Sequence, residues 1–279
     1  MFKRLERSWE LTKQSFAILK DNKTLMLFPV MSAVATIVVM MSFIVPIFAT
    51  GAYKHAGGQR TPMDYLLAFA FYFACYFVQI FFNCALMASA NQAFCGGTAK
   101  VSDGLGMAWA RLPQIILFAA FAATVGMILR TLEERVGLIG KIVIALLGMA
   151  WSIMTYFMAP VIVFEGLSAF EGVERSTALI KKTWGESLIK SLSLSAISML
   201  ALLAGVIAAI AVGILINPWV AMIAFVVYFL VVITAVSTLD GIFKVALYRY
   251  ASWGVVPQGY SPELIQGAFA IKEKKGWLN

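Results

Sequence analysis

Long stretches of this 279-residue chain contain no Asp, Glu, Lys or Arg; they are 24–53, 65–99, 112–129, 142–164 and 191–239. A helix needs about 20 residues to cross a hydrocarbon layer of roughly 30 Å. The first four stretches are each long enough for one span. The fifth is long enough for two, and Asn217-Pro218 in its middle is typical of a turn. The pattern predicts six spans, near 25–49, 65–90, 112–130, 141–164, 191–216 and 219–243.

The composition agrees with a chain that lies mostly in lipid. Apolar residues make up 61% of the sequence and charged residues 13%, whereas a soluble domain has roughly half and about a quarter. A domain of this size cannot bury so much apolar surface in one core. We therefore expect an all-α, polytopic integral membrane helical bundle. A soluble enzyme, a disordered chain and a disulfide-stapled secreted module are excluded.

The lysines and arginines predict the orientation of the chain. They are concentrated in the N-terminal segment, in the connections between spans 2 and 3 and between spans 4 and 5, and in the C-terminal segment. By the positive-inside rule these segments face the cytoplasm. The sequence thus predicts a multi-pass protein of the cell inner membrane with both termini cytoplasmic. Because the net charge of +8 reflects topology, we expect anionic lipid headgroups as partners and no nucleic acid. Another membrane protein or a second copy of the chain stays open as a partner.

The segments that precede spans 1 and 5 resemble each other. Residues 2–20 and 173–188 both gather apolar and aromatic side chains on one face, as interfacial amphipathic helices do. Leu5–Ser8 aligns with Val173–Ser176, and the acid-Gly pair Asp103-Gly104 before span 3 matches Glu171-Gly172 before span 5. A chance likeness between basic, aromatic helices is the alternative. The pattern predicts a cytoplasmic collar and a single membrane domain over 1–254 with helix-plus-hairpin units at 1–97, 98–167 and 168–254, followed by a cytoplasmic tail at 255–279 with a short helix from Ser261.

Polar side chains form a stripe on the second span of each unit. Lipid cannot satisfy such groups, so the stripes should face protein or water. Two interpretations stay open, namely hydrogen-bonded contacts between helices or a polar crevice that carries a ligand. The stripe residues are Tyr72, Tyr76, Gln79 and Asn83 on span 2, Ser152 and Thr155 on span 4, and Thr234, Ser237 and Thr238 on span 6.

Charged residues lie at the predicted cytoplasmic edge of the membrane. Asp240 is about 31 Å along the helix from Trp219, close to the thickness of the hydrocarbon core. Asp240 and Lys244 have the i,i+4 spacing of an ion pair that would anchor span 6, and a headgroup or gating contact is the alternative. The edge residues are Glu165, Asp240, Lys244 and Arg249.

Span 5 carries small residues at every fourth position. Such a ridge lets a neighbouring helix approach closely, so we interpret it as a packing surface. The ridge consists of Ala201, Gly205, Ala209 and Gly213.

The sequence contains no recognisable catalytic or cofactor motif. Cys75, Cys84 and Cys95 are too far apart along one predicted helix to share a metal ion or a disulfide. Glycine loops for nucleotides, HExxH and GxSxG are absent from the sequence. We therefore expect no metal, no cofactor and no catalytic residue.

Residues around the junction of spans 4 and 5 resemble a known family. These are Ala159–Gly166 (APVIVFEG), Phe170–Ser176 (FEGVERS), Lys182–Gly185 (KTWG) and, after span 6, Phe243–Ala251 (FKVALYRYA). They look like a family of prokaryotic six-span inner-membrane proteins of unassigned function. More distantly, they are similar to the membrane domain fused to some glycerophosphodiester phosphodiesterases and to YciC-like proteins. The resemblance implies an all-helical inner-membrane fold without catalytic residues.

Two classes of function are compatible with these patterns. The first is a non-enzymatic membrane protein, either a transport or channel component or a membrane-organising accessory that engages lipid or a partner through its cytoplasmic collar. The alternative is a lipid-modifying intramembrane enzyme. That enzyme would need titratable groups gathered at one depth, and Glu165, Asp240 and Arg249 are the nearest to such a set.

Overall fold

The computed structural model describes residues 2–51, 61–183, 205–206 and 218–263, and these ranges are helical without any β-strand. A 3₁₀ turn at Lys23–Met26 leads into the second helix. We number the α-helices in chain order as α1 Phe2–Asp21, α2 Leu27–Thr50, α3 Pro62–Phe94, α4 Val101–Ala110, α5 Leu112–Glu133, α6 Leu138–Met154, α7 Ala169–Thr183 and α8 Pro218–Trp253.

Within the described ranges, five helical segments are long and apolar enough to cross a membrane, as expected for a multi-pass membrane protein. The predicted span at 191–216 lies outside the described residues except for Gly205 and Val206. The count of six spans therefore stays a prediction. The five segments are Lys23–Thr50, Pro62–Phe94, Leu112–Glu133, Leu138–Glu165 and Ala224–Trp253.

Two of these helices are longer than the spans predicted at 65–90 and 219–243. Helix α3 has 33 residues and α8 has 36, about 50 and 54 Å at 1.5 Å per residue. Both continue until a glycine in the left-handed region follows, Gly96 with φ 79° and Gly254 with φ 70°. Glycine adopts this conformation without steric cost, so it stops a helix efficiently. The ends of α3 and α8 therefore extend beyond a hydrocarbon core of roughly 30 Å.

The helix predicted over 141–164 is interrupted. Helix α6 ends at Met154, a turn covers Thr155–Phe157, and the chain continues through Met158–Pro160 into a π-helix at Val161–Glu165. Pro160 has no N–H to donate, so a regular hydrogen-bond ladder cannot pass through it. Gly166 then adopts the left-handed conformation with φ 67° and ends the segment.

The chain forms two compact units, the first from residues 1–26, 90–99 and 179–279. In this unit α1 packs against α8, and Leu19 and Leu25 are buried. The segment after α8 docks on α1 through a 2.6 Å hydrogen bond between the hydroxyls of Ser15 and Tyr260. Burial raises the pKa of Tyr260 above its ordinary value, so the phenol is neutral. The N-terminal helix is thereby held by residues from the other end of the chain.

The second unit consists of residues 27–89 and 100–178. Its buried side chains include Phe28 from α2 and Ile115 from α5. Phe157 and Ile162, from the interrupted segment, are also fully buried. The irregular stretch after α6 therefore lies in the core of this unit. The predicted domain of 1–254 and its three repeat units stay a prediction.

Candidate functional site

The π-helix in the second unit ends at an ion pair. The Nε atom of Arg175 donates to both carboxylate oxygens of Glu165, at 3.0 and 2.9 Å. A second guanidinium lies at the same place, because Arg111 Nε donates to the carbonyl oxygen of Val163 at 3.3 Å. A Cβ on Gly166 would lie 2.5 Å from Nη1 of Arg111, the flexible end of that side chain, so it is the left-handed backbone with φ 67° that favours glycine there. The predicted edge residue Glu165 is thus already paired with a cation.

Helix α7 packs against the interrupted segment through two further contacts. The fully buried Ser176 accepts a hydrogen bond from the backbone N–H of Phe157, 3.1 Å away, inside the turn that follows α6. Gly172 lies against the side chain of Met158, where a Cβ would come within 2.5 Å of Cε. The sequence alone does not identify Ser176 as an acceptor, because its partner is a backbone group 19 residues away.

The start of α7 is held by a side-chain cap. Both the backbone N–H and the hydroxyl of Ser168 donate to Glu171 Oε2, at 3.2 and 2.7 Å. Both hydrogen bonds lower the pKa of Glu171, and the one from the hydroxyl has the larger effect. An acid at the third helical position that accepts from the backbone N–H of the N-cap residue forms one half of a capping box. The acid of the matched acid–glycine pair before span 5 therefore has a defined local role.

Helix α4 packs on α3 in a related way. A Cβ on Gly104 would lie 2.5 Å from the carbonyl oxygen of Ala85 and 2.9 Å from the ring of Phe28, and it would also collide with Ser89 Oγ. Ser89 Oγ donates to the carbonyl oxygen of Lys100 at 2.9 Å, which ties the end of α3 to the start of α4. The two glycines matched in sequence, Gly104 and Gly172, are thus both contact points between a short helix and the preceding long segment.

The remaining edge charges belong to the first unit. Lys244 and Asp240 form the i,i+4 pair expected from their spacing, with 2.7 Å between Nζ and Oδ2. Further along α8, Nη1 of Arg249 donates to Asn91 Oδ1 at 2.6 Å and approaches Cys95 Sγ at 3.4 Å. The guanidinium carbon is 5.5 Å from the centroid of the Trp253 ring. Asn91 was not singled out from the sequence, since nothing in its neighbourhood marks it as a partner of a residue so far along the chain.

The polar stripes are only partly engaged with other helices. Tyr72 accepts a 2.9 Å hydrogen bond from Arg130 of α5, and the Tyr76 ring packs against Gly126 of the same helix. These contacts are the kind of inter-helix contact that one of the two interpretations expects. Gln79 and Asn83 are exposed, as are Ser152 and Ser237.

Several hydroxyls of the stripes are satisfied within their own helix. Ser152 donates to the carbonyl oxygen of Gly148 at 3.0 Å, and Thr155 to that of Trp151 at 2.9 Å. Thr238 donates to the carbonyl oxygen of Thr234 at 2.7 Å, and both threonines are buried. Because these bonds do not need a second helix or a ligand, the choice between contact surface and polar crevice stays a prediction.

The structure covers one member of the small-residue ridge. Gly205 is buried, and a Cβ on it would collide with the ring of Tyr228 on α8. Ala201, Ala209 and Gly213 lie outside the described residues. Within the described ranges, no three side chains of His, Cys, Asp or Glu are placed so that they could hold a metal ion.

A family model decides the relationship of the chain to known sequences. The model of DUF6159, a family of unknown function, matches residues 62–257. The chain belongs to the DUF6159 family. The matched residues include Gly104, Gly172, the Glu165–Arg175 pair and Arg249, whereas α1 and α2 precede them. Searches of curated proteins and of solved structures find no match.

Proposed function

We propose that this membrane protein is a non-enzymatic, membrane-organising accessory that binds anionic lipid through its short helices α1, α4 and α7. One observation carries the proposal. Each of these helices exposes a large aromatic side chain, with 55% of Phe16, 67% of Trp109 and 73% of Phe170 accessible. Aromatic side chains are enriched at the membrane–water interface, where a helix can lie with its apolar side in the headgroup layer.

Exposed basic side chains on two of these helices, α1 and α7, support an anionic surface as the partner. Lys13 and Lys20 on α1 and Lys181 on α7 are exposed. Near an anionic membrane each lysine contributes roughly 1 kcal/mol of attraction. Together with the distribution of basic residues, this supports the cytoplasmic leaflet of the inner membrane as the location, with both termini on that side. Reporters fused after Asn279 test the orientation, because an extracellular signal contradicts it.

The two other functions have less support. A transport path needs polar groups that face a cavity, but Ser152, Thr155 and Thr238 already bond within their own helices. A lipid-modifying enzyme needs an available carboxylate, and both edge carboxylates have cation partners, Glu165 in Arg175 and Asp240 in Lys244. The distant similarity expected to the membrane domain of glycerophosphodiester phosphodiesterases would imply a membrane fold and no hydrolase chemistry.

Lipid retention tests the proposal. The full chain is purified in detergent, exposed to equimolar phosphatidylglycerol and phosphatidylcholine, and analysed by native mass spectrometry. We expect preferential retention of phosphatidylglycerol. The triple substitution Phe16→Ser, Trp109→Ser and Phe170→Ser should reduce it several-fold, because each aromatic buries about 150–250 Å² when it inserts. The matched control, Phe16→Trp with Trp109→Phe and Phe170→Trp, keeps the aromatics and should bind as the wild type does.

Proteoliposomes separate the proposal from its two alternatives. We expect no flux of ions or small solutes above that of empty vesicles, and no change in the lipid species recovered after incubation. Flux through the wild type supports a transport component instead, and a new lipid product supports an enzyme. Equal retention of both lipids by the wild type contradicts the binding of anionic lipid.

A further inference from the structure

Four side chains in the first unit form a group that we name the Arg249 cluster, consisting of Asn91, Cys95, Arg249 and Trp253. Asn91 lies on α3, Cys95 directly follows that helix, and Arg249 and Trp253 lie one turn apart at the end of α8. Asn91 and Cys95 both accept from the same nitrogen of the guanidinium, Nη1, at 2.6 and 3.4 Å. The Trp253 ring covers one face of the guanidinium, with 5.5 Å between the ring centroid and Cζ of Arg249.

The part of the chain that the structure describes places no acceptor at the opposite edge of this guanidinium. Among the described residues no carboxylate lies within ion-pair distance of Arg249, whereas Arg175 is paired with Glu165 and Arg130 with Glu134. The Nε atom of Arg249 is buried and makes no hydrogen bond. A covered cationic donor without an acceptor is destabilising, so this edge favours an anionic partner. Nε and Nη2 form the edge with which arginine binds a carboxylate or phosphate through two parallel hydrogen bonds.

The position of Arg249 along α8 favours a phosphate. The first residues of α8, 218–239, carry no charge, and at 1.5 Å each they extend about 33 Å, close to the thickness of the hydrocarbon core. Arg249 follows Asp240 by nine residues, roughly 14 Å, which places its backbone just outside the headgroup layer. Helical side chains lean toward the helix N-terminus, so the long arginine side chain extends back to that layer. Trp253 is partly exposed at the same end. Lipid phosphates are the most abundant oxyanions at this depth.

We propose that the Arg249 cluster binds a phosphate oxyanion through the Nε and Nη2 edge of Arg249. Asn91 holds Nη1, so that the guanidinium plane is fixed and its remaining edge is directed at the ligand. The expected source is the phosphate of an anionic phospholipid, and in that form the inference rests on the proposed function. A soluble phosphate compound offers the same chemistry, so the experiment has an arm for each source.

The first arm uses phosphatidylglycerol. The delipidated full chain is titrated with this lipid in detergent, and bound lipid is counted by native mass spectrometry. Arg249→Gln should weaken retention about tenfold or more, since hydrogen bonds to charged groups contribute roughly 1.5–3 kcal/mol. The matched control is Lys244→Gln on the same helix, which removes the same charge from a residue already paired with Asp240. Retention by this control should stay within about twofold of wild type.

The second arm replaces the lipid by inorganic phosphate at millimolar concentration. If phosphate raises the thermal midpoint of the wild type but not that of Arg249→Gln, and phosphatidylglycerol has no such effect, the oxyanion site is supported with a soluble source. If Arg249→Gln does not purify as a monodisperse protein, Arg249→Lys takes its place. Lysine keeps the charge but loses the fork, so it should still weaken binding severalfold.

The proposal is overturned if Arg249→Gln, or Arg249→Lys in its place, binds both probes as the wild type does. This outcome can be told apart from a failure of the proposed function. Loss of phosphatidylglycerol in the Phe16, Trp109 and Phe170 variant, with no effect at Arg249, leaves the short helices as the lipid-binding surface. A wild type without lipid preference contradicts the proposed function, and the phosphate arm then decides the Arg249 cluster by itself.

Discussion

The second unit contains the same arrangement twice, with α4 packed on α3 and α7 packed on the segment after α6. In both, a glycine after an acid lets the short helix approach the preceding long segment. The neighbours differ. Gly104 faces a backbone carbonyl of α3 and the ring of Phe28, whereas Gly172 faces the flexible end of Met158. One contact is therefore rigid and the other can adapt.

The long segments on which α4 and α7 pack differ in the regularity of their backbone. Helix α3 is regular for 33 residues, while the segment after α6 passes through a turn and a π-helix. A regular helix presents its carbonyl oxygens at fixed positions, so a short helix can dock directly on its backbone. An interrupted helix has backbone groups that need other partners, and α7 supplies one in Ser176 and an ion pair in Arg175. π-Helical turns occur frequently at functional sites. The comparison indicates that α3 and α4 form the stable part of this unit and that α7 holds the irregular part in place.

Gly104→Ala should have the largest effect. The added methyl would meet the Ala85 carbonyl at 2.5 Å, and overpacking of this kind costs about 1–3 kcal/mol. Because three atoms would lie within 3.0 Å of the added methyl, we expect the upper end of this range. Alanine favours a helix by roughly 1 kcal/mol over glycine, which leaves a net loss of about 2 kcal/mol. Unfolding by SDS titration, followed by circular dichroism, measures it. Gly106→Ala on the same helix is the control, because nothing lies within 4 Å of the added methyl; it should be neutral or stabilising. Equal effects at the two positions would contradict the rigid contact.

Ser176→Ala should be the next most damaging change. It removes an acceptor from the buried N–H of Phe157, and a lost buried hydrogen bond costs about 1–2 kcal/mol. The same SDS titration measures the free energy of unfolding. Thr177→Val serves as the control, since the Thr177 hydroxyl bonds only to the Val173 carbonyl of its own helix; it should change stability by less than about 0.5 kcal/mol. Ser176→Ala with wild-type stability would mean that α7 does not hold the turn.

Features that depend on residues close together in the sequence could be predicted, whereas contacts between residues far apart in the sequence could not. The long apolar helices follow from charge-free runs, and α1 was expected at 2–20 because its pattern is local. The acid and glycine at 103–104 and 171–172 were recognisable as a matched pair. Their tight packing was not, because periodicity does not tell which residue of a neighbouring helix will be met.

The candidate site was predicted only in part for the same reason. Asp240 and Lys244 are four residues apart, and their spacing alone predicted the pair. The partners of Arg249 and of Ser176 lie 158 and 19 residues away. The turn at Thr155–Phe157 also depends on tertiary packing, because Pro160 suggests a kink but does not determine which residues leave the helix.

Gly172→Ala should change the free energy of unfolding little. The sign of this small change shows whether the contact at Gly172 is less rigid than the contact at Gly104. The methyl would meet Met158 Cε at 2.5 Å and Sδ at 2.9 Å, but an unbranched thioether moves at small cost. This cost and the gain in helix propensity of roughly 1 kcal/mol nearly cancel, so the variant should lie within about 0.5 kcal/mol of wild type. A large loss would mean that both glycine contacts are rigid.

The smallest expected effect is a pH dependence at the start of α7. This helix begins with a side-chain cap, whereas α4 begins without a hydrogen bond from a capping side chain. The pKa of Glu171 is lowered by its hydrogen bonds with Ser168, so it lies below the value of about 4.3 for an unperturbed Glu. A depressed folded-state pKa contributes stability that is present above the unfolded pKa and is lost as the pH falls through the folded one. The difference in thermal midpoint between wild type and Glu171→Gln should therefore be constant above about pH 5 and shrink as the pH falls toward 3. In a Ser168→Ala background one of the two donors is gone, so the pH-dependent part of this difference should be smaller. A difference of equal size at all pH values would show that the carboxylate charge does not contribute to the cap, and α4 and α7 would then begin in energetically similar ways.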